Sequence, residues 1–210
     1  SIQSQQELLL SEAQPRMRYA LVARVPRSVE VRIEDLFLHI AGSTKSNMGY
    51  HITLVGPFFM ANDRDHRSLA GIAETCRRWR PFTVYLGGLG TYISPDNNAV
   101  YLHITDPAPI SALNHDLTLA LNGQIESQFV CEPESDRAGY RPHVTLALSL
   151  TDRELDEFLR VGSDELTGVS FQIDDLWLVQ EMGGGSWRYL QCYPLGAEAQ
   201  DAPPGIDRTY

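Results

Sequence analysis

Two short segments of the chain combine a histidine and a threonine at the same spacing. His51-Ile52-Thr53-Leu54 is followed 92 residues later by His143-Val144-Thr145-Leu146. Each segment opens an apolar run, 51–59 and 143–150, that is typical of a β-strand. Because successive side chains of a strand point to opposite faces, each histidine shares a face with its threonine and the aliphatic residues take the other face. The alternative, two unrelated core strands, does not explain why the four-residue pattern recurs.

Two imidazoles and two hydroxyls are suited to phosphate chemistry without a metal. An unperturbed histidine titrates near pH ~6.5, so a neutral imidazole can accept a proton while a charged one donates a proton to a leaving oxygen. A threonine hydroxyl beside each ring can donate to a non-bridging phosphate oxygen. The residues alone leave open which of His51 and His143 is the acid and which is the base.

The elements that must position these residues recur in the same order. Each half of the chain predicts a strand, a helix, a motif strand, a second helix and a hairpin, with helices expected from Ser28 and over 63–79. We therefore expect an internal duplication and an α+β fold. Two pseudo-symmetric lobes, with antiparallel sheets flanked by helices, would bring the motif strands face to face at a central cleft. The predicted organisation is a peripheral segment 1–16, one bilobal domain 17–195 and a mobile tail 196–210.

Composition and charge narrow the class of partner. The 210-residue chain has a formal net charge of −10, which opposes binding to a long nucleic acid but permits one small nucleotide or RNA end in a local pocket. No segment is apolar for long enough to cross a membrane, and the N-terminus does not resemble a secretory signal. Three distant cysteines, Cys76, Cys131 and Cys192, favour a reducing compartment. We expect a cytoplasmic monomer.

The paired motifs resemble the signatures of the 2H phosphoesterase superfamily, which includes bacterial 2′-5′ RNA ligase-like proteins and cyclic phosphodiesterases. The resemblance covers about residues 17–195 and includes Tyr140-Arg141-Pro142 before the second motif. It implies that His51 and His143 are catalytic, that Thr53 and Thr145 bind phosphate, and that no metal or other cofactor takes part. It also implies hydrolysis of 2′,3′-cyclic phosphates of RNA ends or small nucleotides to 2′-phosphates. Alternatives are 2′-5′ RNA ligation and a non-catalytic module that binds RNA ends or nucleotides.

Several further residues are candidates for substrate binding. Arg141 could contact phosphate, although its position next to His143 places it on the opposite face of a regular strand. Aromatic side chains that could stack on a base are Phe58, Tyr92, Tyr140 and Tyr189.

Other patterns point away from a site. His103-Ile104-Thr105 is a third His-x-Thr but lacks the following leucine, and we interpret it as part of a hairpin strand, the alternative being that His103 lines the cleft. The run Gly87-Gly88-Leu89-Gly90 lacks the GxGxxG spacing of a nucleotide-binding loop. No carboxylate or cysteine accompanies the motif histidines at the spacing of a metal site.

Overall fold

The computed structural model describes residues 16–127 and 139–196, which form nine β-strands and four α-helices. The strands are β1 (Tyr19–Arg24), β2 (His51–Met60), β3 (Phe82–Tyr92), β4 (Asn98–Thr105), β5 (Ile125–Ser127), β6 (His143–Leu150), β7 (Ser170–Ile173), β8 (Asp175–Gly183) and β9 (Ser186–Pro194). The helices are α1 (Arg27–Phe37), α2 (Ile72–Arg78), α3 (Ala108–Ala120) and α4 (Asp152–Val161), and two 3₁₀ turns lie at Ala61–Asp63 and His66–Ser68.

The strands form one antiparallel sheet with the two motif strands at its centre. The order is β7-β3-β4-β6-β2-β1-β8-β9, and β5 pairs with β2. This arrangement confirms the predicted α+β class. Within the sheet β2 and β6 are neighbours, joined at the pair Ile52–Val144.

The two halves of the sheet have matching connections. The chain leaves β1, passes through α1 and returns as β2 beside β1; it leaves β4, passes through α3 and later returns as β6 beside β4. Each motif strand therefore lies between its own partner strand and the other motif strand. This topology sets the two histidine–threonine pairs next to each other.

The motif strands bury one face and leave the other open. Ile52, Leu54, Val144 and Leu146 are fully buried in the main hydrophobic core. This core includes the apolar faces of the helices, such as Ile110, Leu113 and Leu117 of α3. The predicted alternation is confirmed within each four-residue motif, because the threonines on the opposite face are only half-buried. It ends beyond the motifs, where register shifts occur: Val55 and Ala147 are buried in the core and Leu148 is exposed. Burial of the aliphatic residues fixes the register, since a one-residue slip would expose them and bury the histidines.

Helix boundaries differ from the sequence-based prediction in the first half. The helix expected over 63–79 is formed only from Ile72, because Gly71 adopts φ +93° and the Asp65 side chain closes a separate turn at the Arg67 N–H. Helix α1 begins at Arg27, with Pro26 rather than a serine before its first turn. Pro26 has the extended backbone conformation that is usual for the residue before a helix.

The second half contains a helix with a capping box and two successive strands with different partners. Thr151 accepts a hydrogen bond from the Glu154 N–H, and the Glu154 carboxylate accepts one from the Thr151 N–H, so α4 begins with a capping box. Strands β7 and β8 are separated at Asp174, and β7 pairs with β3 whereas β8 pairs with β9.

Some predictions concern parts of the chain that lie outside the described residues. The predicted peripheral segment 1–16 and the predicted tail 196–210 do so, except for residues 16 and 196. Among the described helices, none combines the length and the apolar character that a membrane crossing requires.

Candidate active site

The two histidine–threonine pairs lie on the open face of the central strands. His51, Thr53 and Thr145 are half-buried, and His143 is exposed. Ile52 lies opposite Val144. The two motifs therefore run past each other in opposite directions from this pair. Each imidazole has a threonine two residues along its own strand, on the same face.

Both imidazoles are held by a backbone carbonyl two residues earlier in the chain. Nδ1 of His51 lies 3.1 Å from the Gly49 oxygen, and Nδ1 of His143 lies 2.8 Å from the Arg141 oxygen. A carbonyl oxygen only accepts hydrogen bonds, so Nδ1 must carry the hydrogen in each ring. Nε2 is therefore the nitrogen that exchanges protons, accepting one when the ring is neutral and donating one when it is charged.

The electrostatic environment of His51 favours its neutral form. Burial lowers the pKa of His51, the hydrogen bond to the Gly49 carbonyl partly offsets this, and the neighbouring His143 lowers the pKa further. A lowered pKa keeps the ring uncharged near neutral pH, with a lone pair on Nε2. His51 is therefore suited to accept a proton.

Three backbone carbonyls of β2 and β6 accept hydrogen bonds from groups outside these two strands. Tyr140 donates its hydroxyl to the Thr53 carbonyl at 2.8 Å, and the Asn114 side chain donates to the Leu54 carbonyl at 2.6 Å. On the other motif strand, the Thr44 N–H donates to the Leu146 carbonyl at 3.2 Å. Backbone groups away from water need such partners, and these bonds hold the motif strands where the sheet pairing between them stops.

The other residues predicted to bind substrate range from the buried core to the exposed surface. Phe58 is 1 % exposed and packs on Tyr19 in the core, so its predicted contact with substrate is wrong. Tyr140 is half-buried and its hydroxyl is engaged with the backbone. Arg141 has an exposed side chain, while its carbonyl holds His143. Tyr92 is exposed near the β3–β4 turn, opposite Ala99.

Two residues of β4 extend the site beyond His143. His103 pairs directly with His143, Tyr101 pairs with Thr145, and the Tyr101 ring centroid lies 5.0 Å from that of His143 and 5.1 Å from that of His103. A Cβ at Gly90 would overlap the Tyr101 ring, so the glycine-rich strand β3 leaves space for these rings. The His-x-Thr at 103 was the only sequence signal for this flank, and it did not reveal that β4 lies beside β6.

Arg24 and Tyr189 form the flank on the other side. Arg24 pairs with His51 across β1 and β2, and its guanidinium lies 4.7 Å from the Tyr189 ring centroid. Tyr189 donates its hydroxyl to the Met48 carbonyl at 2.8 Å and contacts Trp177 edge-on. The strand beside His51 thus supplies a guanidinium that contacts an aromatic ring, and the strand beside His143 supplies the Tyr101 ring.

No cluster of three or more His, Cys, Asp or Glu side chains that could hold a metal ion occurs within residues 16–127 and 139–196. The chemistry that these residues offer is proton transfer by imidazole and hydrogen bonding by hydroxyl groups.

Comparison with known families identifies the class of protein. Residues 25–185 match the family model described as "2'-5' RNA ligase superfamily". The match spans more than half of the chain, which therefore belongs to this superfamily. The resemblance to 2H phosphoesterases that the paired motifs indicated is confirmed.

Two curated relatives carry phosphoesterase in their names, in both cases as a provisional assignment. The chain is 27% identical over 151 residues to a protein of Bacillus pumilus strain SAFR-032, and the alignment covers 70% of this chain and 80% of the relative. It is 26% identical over 149 residues to a protein of Bacillus licheniformis, with the same coverage.

Solved structures confirm the fold. The crystal structure of TT0787 from Thermus thermophilus aligns with a TM-score of 0.59 at 18% identity, covering 86% of this chain and 99% of that one. Apo LigT from E. coli aligns with a TM-score of 0.60 at 18% identity, covering 87% and 99%. At this level of identity the similarity establishes the shared fold only.

Proposed function

We propose that the protein is a phosphodiesterase that opens 2′,3′-cyclic phosphates of RNA ends or small nucleotides and leaves a 2′-phosphate. One observation carries this proposal. Two imidazoles, each held at Nδ1 by a carbonyl, lie on one open face of neighbouring strands together with two threonine hydroxyls. This arrangement supplies a base, an acid and two hydrogen-bond donors around one phosphate.

In the proposed reaction His51 is the base. Its lowered pKa keeps Nε2 unprotonated near neutral pH, so that it can take a proton from the attacking water. The new P–O bond forms as the water oxygen attacks phosphorus, and the proton moves to His51. The hydrogen bond to the Gly49 carbonyl stabilises the charge that the ring gains.

His143 is the proposed acid. Its Nε2 donates a proton to the 3′-oxygen as the P–O3′ bond breaks, which leaves the phosphate on the 2′-oxygen. Thr53 and Thr145 donate to the non-bridging oxygens and hold phosphorus between the two rings, as an in-line displacement requires. Each proton transfer of this kind contributes about 10²–10⁴ in rate.

The flanks of the site favour a nucleotide as substrate. Tyr101 contacts His143, and Tyr189 contacts Arg24, the residue that pairs with His51; stacking on such rings tolerates any base. E. coli LigT, which shares the fold, has been solved with 3′-AMP and with phosphate. The acidic net charge of −10 suits one local phosphate better than a long backbone.

The direct test is turnover of 2′,3′-cyclic AMP by the purified protein in the presence of EDTA, with separation of the 2′- and 3′-phosphate products. We expect 2′-AMP, at a rate that EDTA leaves unchanged. Absence of turnover with cyclic mononucleotides and with a cyclic-phosphate RNA end would refute the hydrolase, and a 3′-phosphate product would refute the assignment of the leaving oxygen. Binding without turnover would instead support a non-catalytic nucleotide module.

The family match supports a second candidate, 2′-5′ RNA ligation. Here a 5′-hydroxyl replaces water as the nucleophile, and the same base and acid serve. Incubation of a 2′,3′-cyclic-phosphate RNA with a 5′-hydroxyl RNA distinguishes the two reactions, because only the ligase yields a joined product with a 2′-5′ linkage.

A further inference from the structure

The peptide group between Gly49 and Tyr50 is hydrogen-bonded on both sides. Its carbonyl accepts the hydrogen bond from His51 Nδ1 at 3.1 Å, and its N–H donates to Oε2 of Glu30 at 3.0 Å. Hydrogen bonds in such a chain polarise one another, because the amide nitrogen and oxygen belong to one conjugated group. A negative charge at the N–H therefore strengthens the carbonyl as an acceptor for the imidazole.

Glu30 lies where its charge can act on this peptide. It is 8 % exposed, and Oε1 binds Arg27 Nη1 at 2.7 Å and Lys45 Nζ at 3.0 Å, which leaves Oε2 for the Tyr50 N–H. Burial opposes the charged carboxylate, but the bonds from Lys45, the Tyr50 N–H and Arg27 hold the pKa of Glu30 below its ordinary value. Glu30 is thus a carboxylate at neutral pH.

The glycine at position 49 allows the Glu30 carboxylate to lie close to the backbone. A Cβ at Gly49 would lie 2.6 Å from Oε2 of Glu30, inside ordinary contact distance, and Gly49 adopts φ +77°. A glycine is therefore needed both for the turn and for the close contact between carboxylate and backbone.

The second motif cannot form the same chain of bonds. His143 Nδ1 donates to the Arg141 carbonyl, but the nitrogen of that peptide belongs to Pro142, which has no N–H. Both histidines have the first hydrogen bond, from Nδ1 to a carbonyl, but only His51 has the second, from the N–H of that peptide to a carboxylate.

We propose that Glu30 is a positioning residue that acts on His51 through the Gly49–Tyr50 peptide, fixing the Nδ1–H tautomer and stabilising the positive charge that forms when Nε2 accepts a proton. This role rests on the proposed function of His51 as the base. It corresponds to a carboxylate–histidine pair in which one peptide group has been inserted between the partners. It also assigns the two motifs to different halves of the reaction, since only one ring carries this support.

The test compares Glu30→Gln with the matched control Glu34→Gln. Glu34 binds the same two cations, Arg27 and Lys45, but does not contact the peptide. In ¹⁵N NMR titrations without substrate, we expect the pKa of His51 to fall in Glu30→Gln and to stay at the wild-type value in Glu34→Gln. Other charged groups near His51, which neither variant changes, are His143 of β6, Arg24 of β1, and Arg27 and Lys45 beside Glu30.

Kinetics provide the second readout. We expect kcat for a 2′,3′-cyclic nucleotide to fall about tenfold in Glu30→Gln with KM within about twofold, and to remain unchanged in Glu34→Gln. If the pKa of His51 is the same in Glu30→Gln and Glu34→Gln, the proposed action of Glu30 through the peptide is refuted. If the pKa of His51 falls in Glu30→Gln but the wild type turns over no cyclic phosphate, the action of Glu30 through the peptide is supported and the proposed function fails.

A measurement on the wild-type protein covers the case in which Glu30→Gln does not fold. The Tyr50 amide proton forms the hydrogen bond between the Gly49–Tyr50 peptide and the Glu30 carboxylate. Its chemical shift should therefore follow the titration of His51, which is bonded to the carbonyl of the same peptide. A Tyr50 amide signal that stays constant while His51 titrates would overturn the proposal.

Discussion

The two motif strands carry the same residues in the same order, yet they surround their histidines differently. His51 is half-buried, and its carbonyl partner belongs to a peptide whose N–H is bound by Glu30. His143 is exposed, and its carbonyl partner belongs to a peptide with a proline nitrogen. Matching halves of a sheet can thus hold two identical side chains in the same tautomer while their surroundings favour different proton-transfer roles.

Removal of either imidazole gives the largest expected effect. His51→Ala and His143→Ala should each lower kcat for a 2′,3′-cyclic nucleotide by about 10²–10⁴-fold, because each removes one proton transfer. The double variant should lose little more than the worse single one, since the two rings act in one step. His115→Ala, an exposed residue of α3, is the control. Activity within about twofold of wild type in either motif variant would show that the pair is not catalytic.

Removal of a threonine hydroxyl tests whether the halves are equivalent in phosphate binding. Thr53→Val and Thr145→Val keep the β-branched shape that the strands favour and remove only the donor. We expect each to lower kcat/KM by about 10²-fold, since each removes one hydrogen bond to a charged oxygen. Equal losses would indicate that the phosphate lies midway between the strands. A loss in only one variant would place the phosphate on that side, and no loss in both would contradict the proposed anchoring.

The repeated motif and its strand period were enough to predict the open face of the site. The alternation of Ile52 and Thr53 follows from the period of two in a strand, so burial of one face and exposure of the other could be predicted. The α+β class followed from the recurring order of elements. The same parity could have excluded Phe58, which shares the buried face with Ile52.

The neighbours of the motif strands could not be predicted in this way. Pairing of β2 with β6, and of β4 with β6, joins segments that are distant in the chain, and no local pattern encodes which strands become neighbours. The contacts of His103 with His143 and of Glu30 with the Tyr50 N–H depend on that topology. A glutamate in the first turn of a helix gives no sign in the sequence that it will bind a backbone N–H twenty residues away.

The lowered pKa of His51 makes a prediction about pH. A base must be unprotonated, so activity should fall as the pH drops through the pKa of His51, and this limb should lie below the ordinary imidazole value of ~6.5. The positive charge of His143 contributes to the lowering, so in His143→Gln the pKa of His51 should rise. NMR titration of His51 in both proteins measures the change. A pKa of His51 above 6.5 in the wild type would reverse the assignment of base and acid.

The smallest expected effect concerns the hydrogen bonds by which a residue of each half supports the motif strand of the other half. Tyr140→Phe removes the hydroxyl that donates to the Thr53 carbonyl at 2.8 Å and leaves that carbonyl short of a partner. We expect the free energy of unfolding to fall by about 1 kcal/mol in urea denaturation. Tyr92→Phe, at an exposed tyrosine near the β3–β4 turn, is the matched control and should change stability by less than about 0.5 kcal/mol. In β6 the Leu146 carbonyl is bound by a backbone N–H, that of Thr44, which a substitution removes only when it introduces proline. A loss in Tyr140→Phe no larger than in the control would mean that the Tyr140 hydroxyl does not stabilise β2.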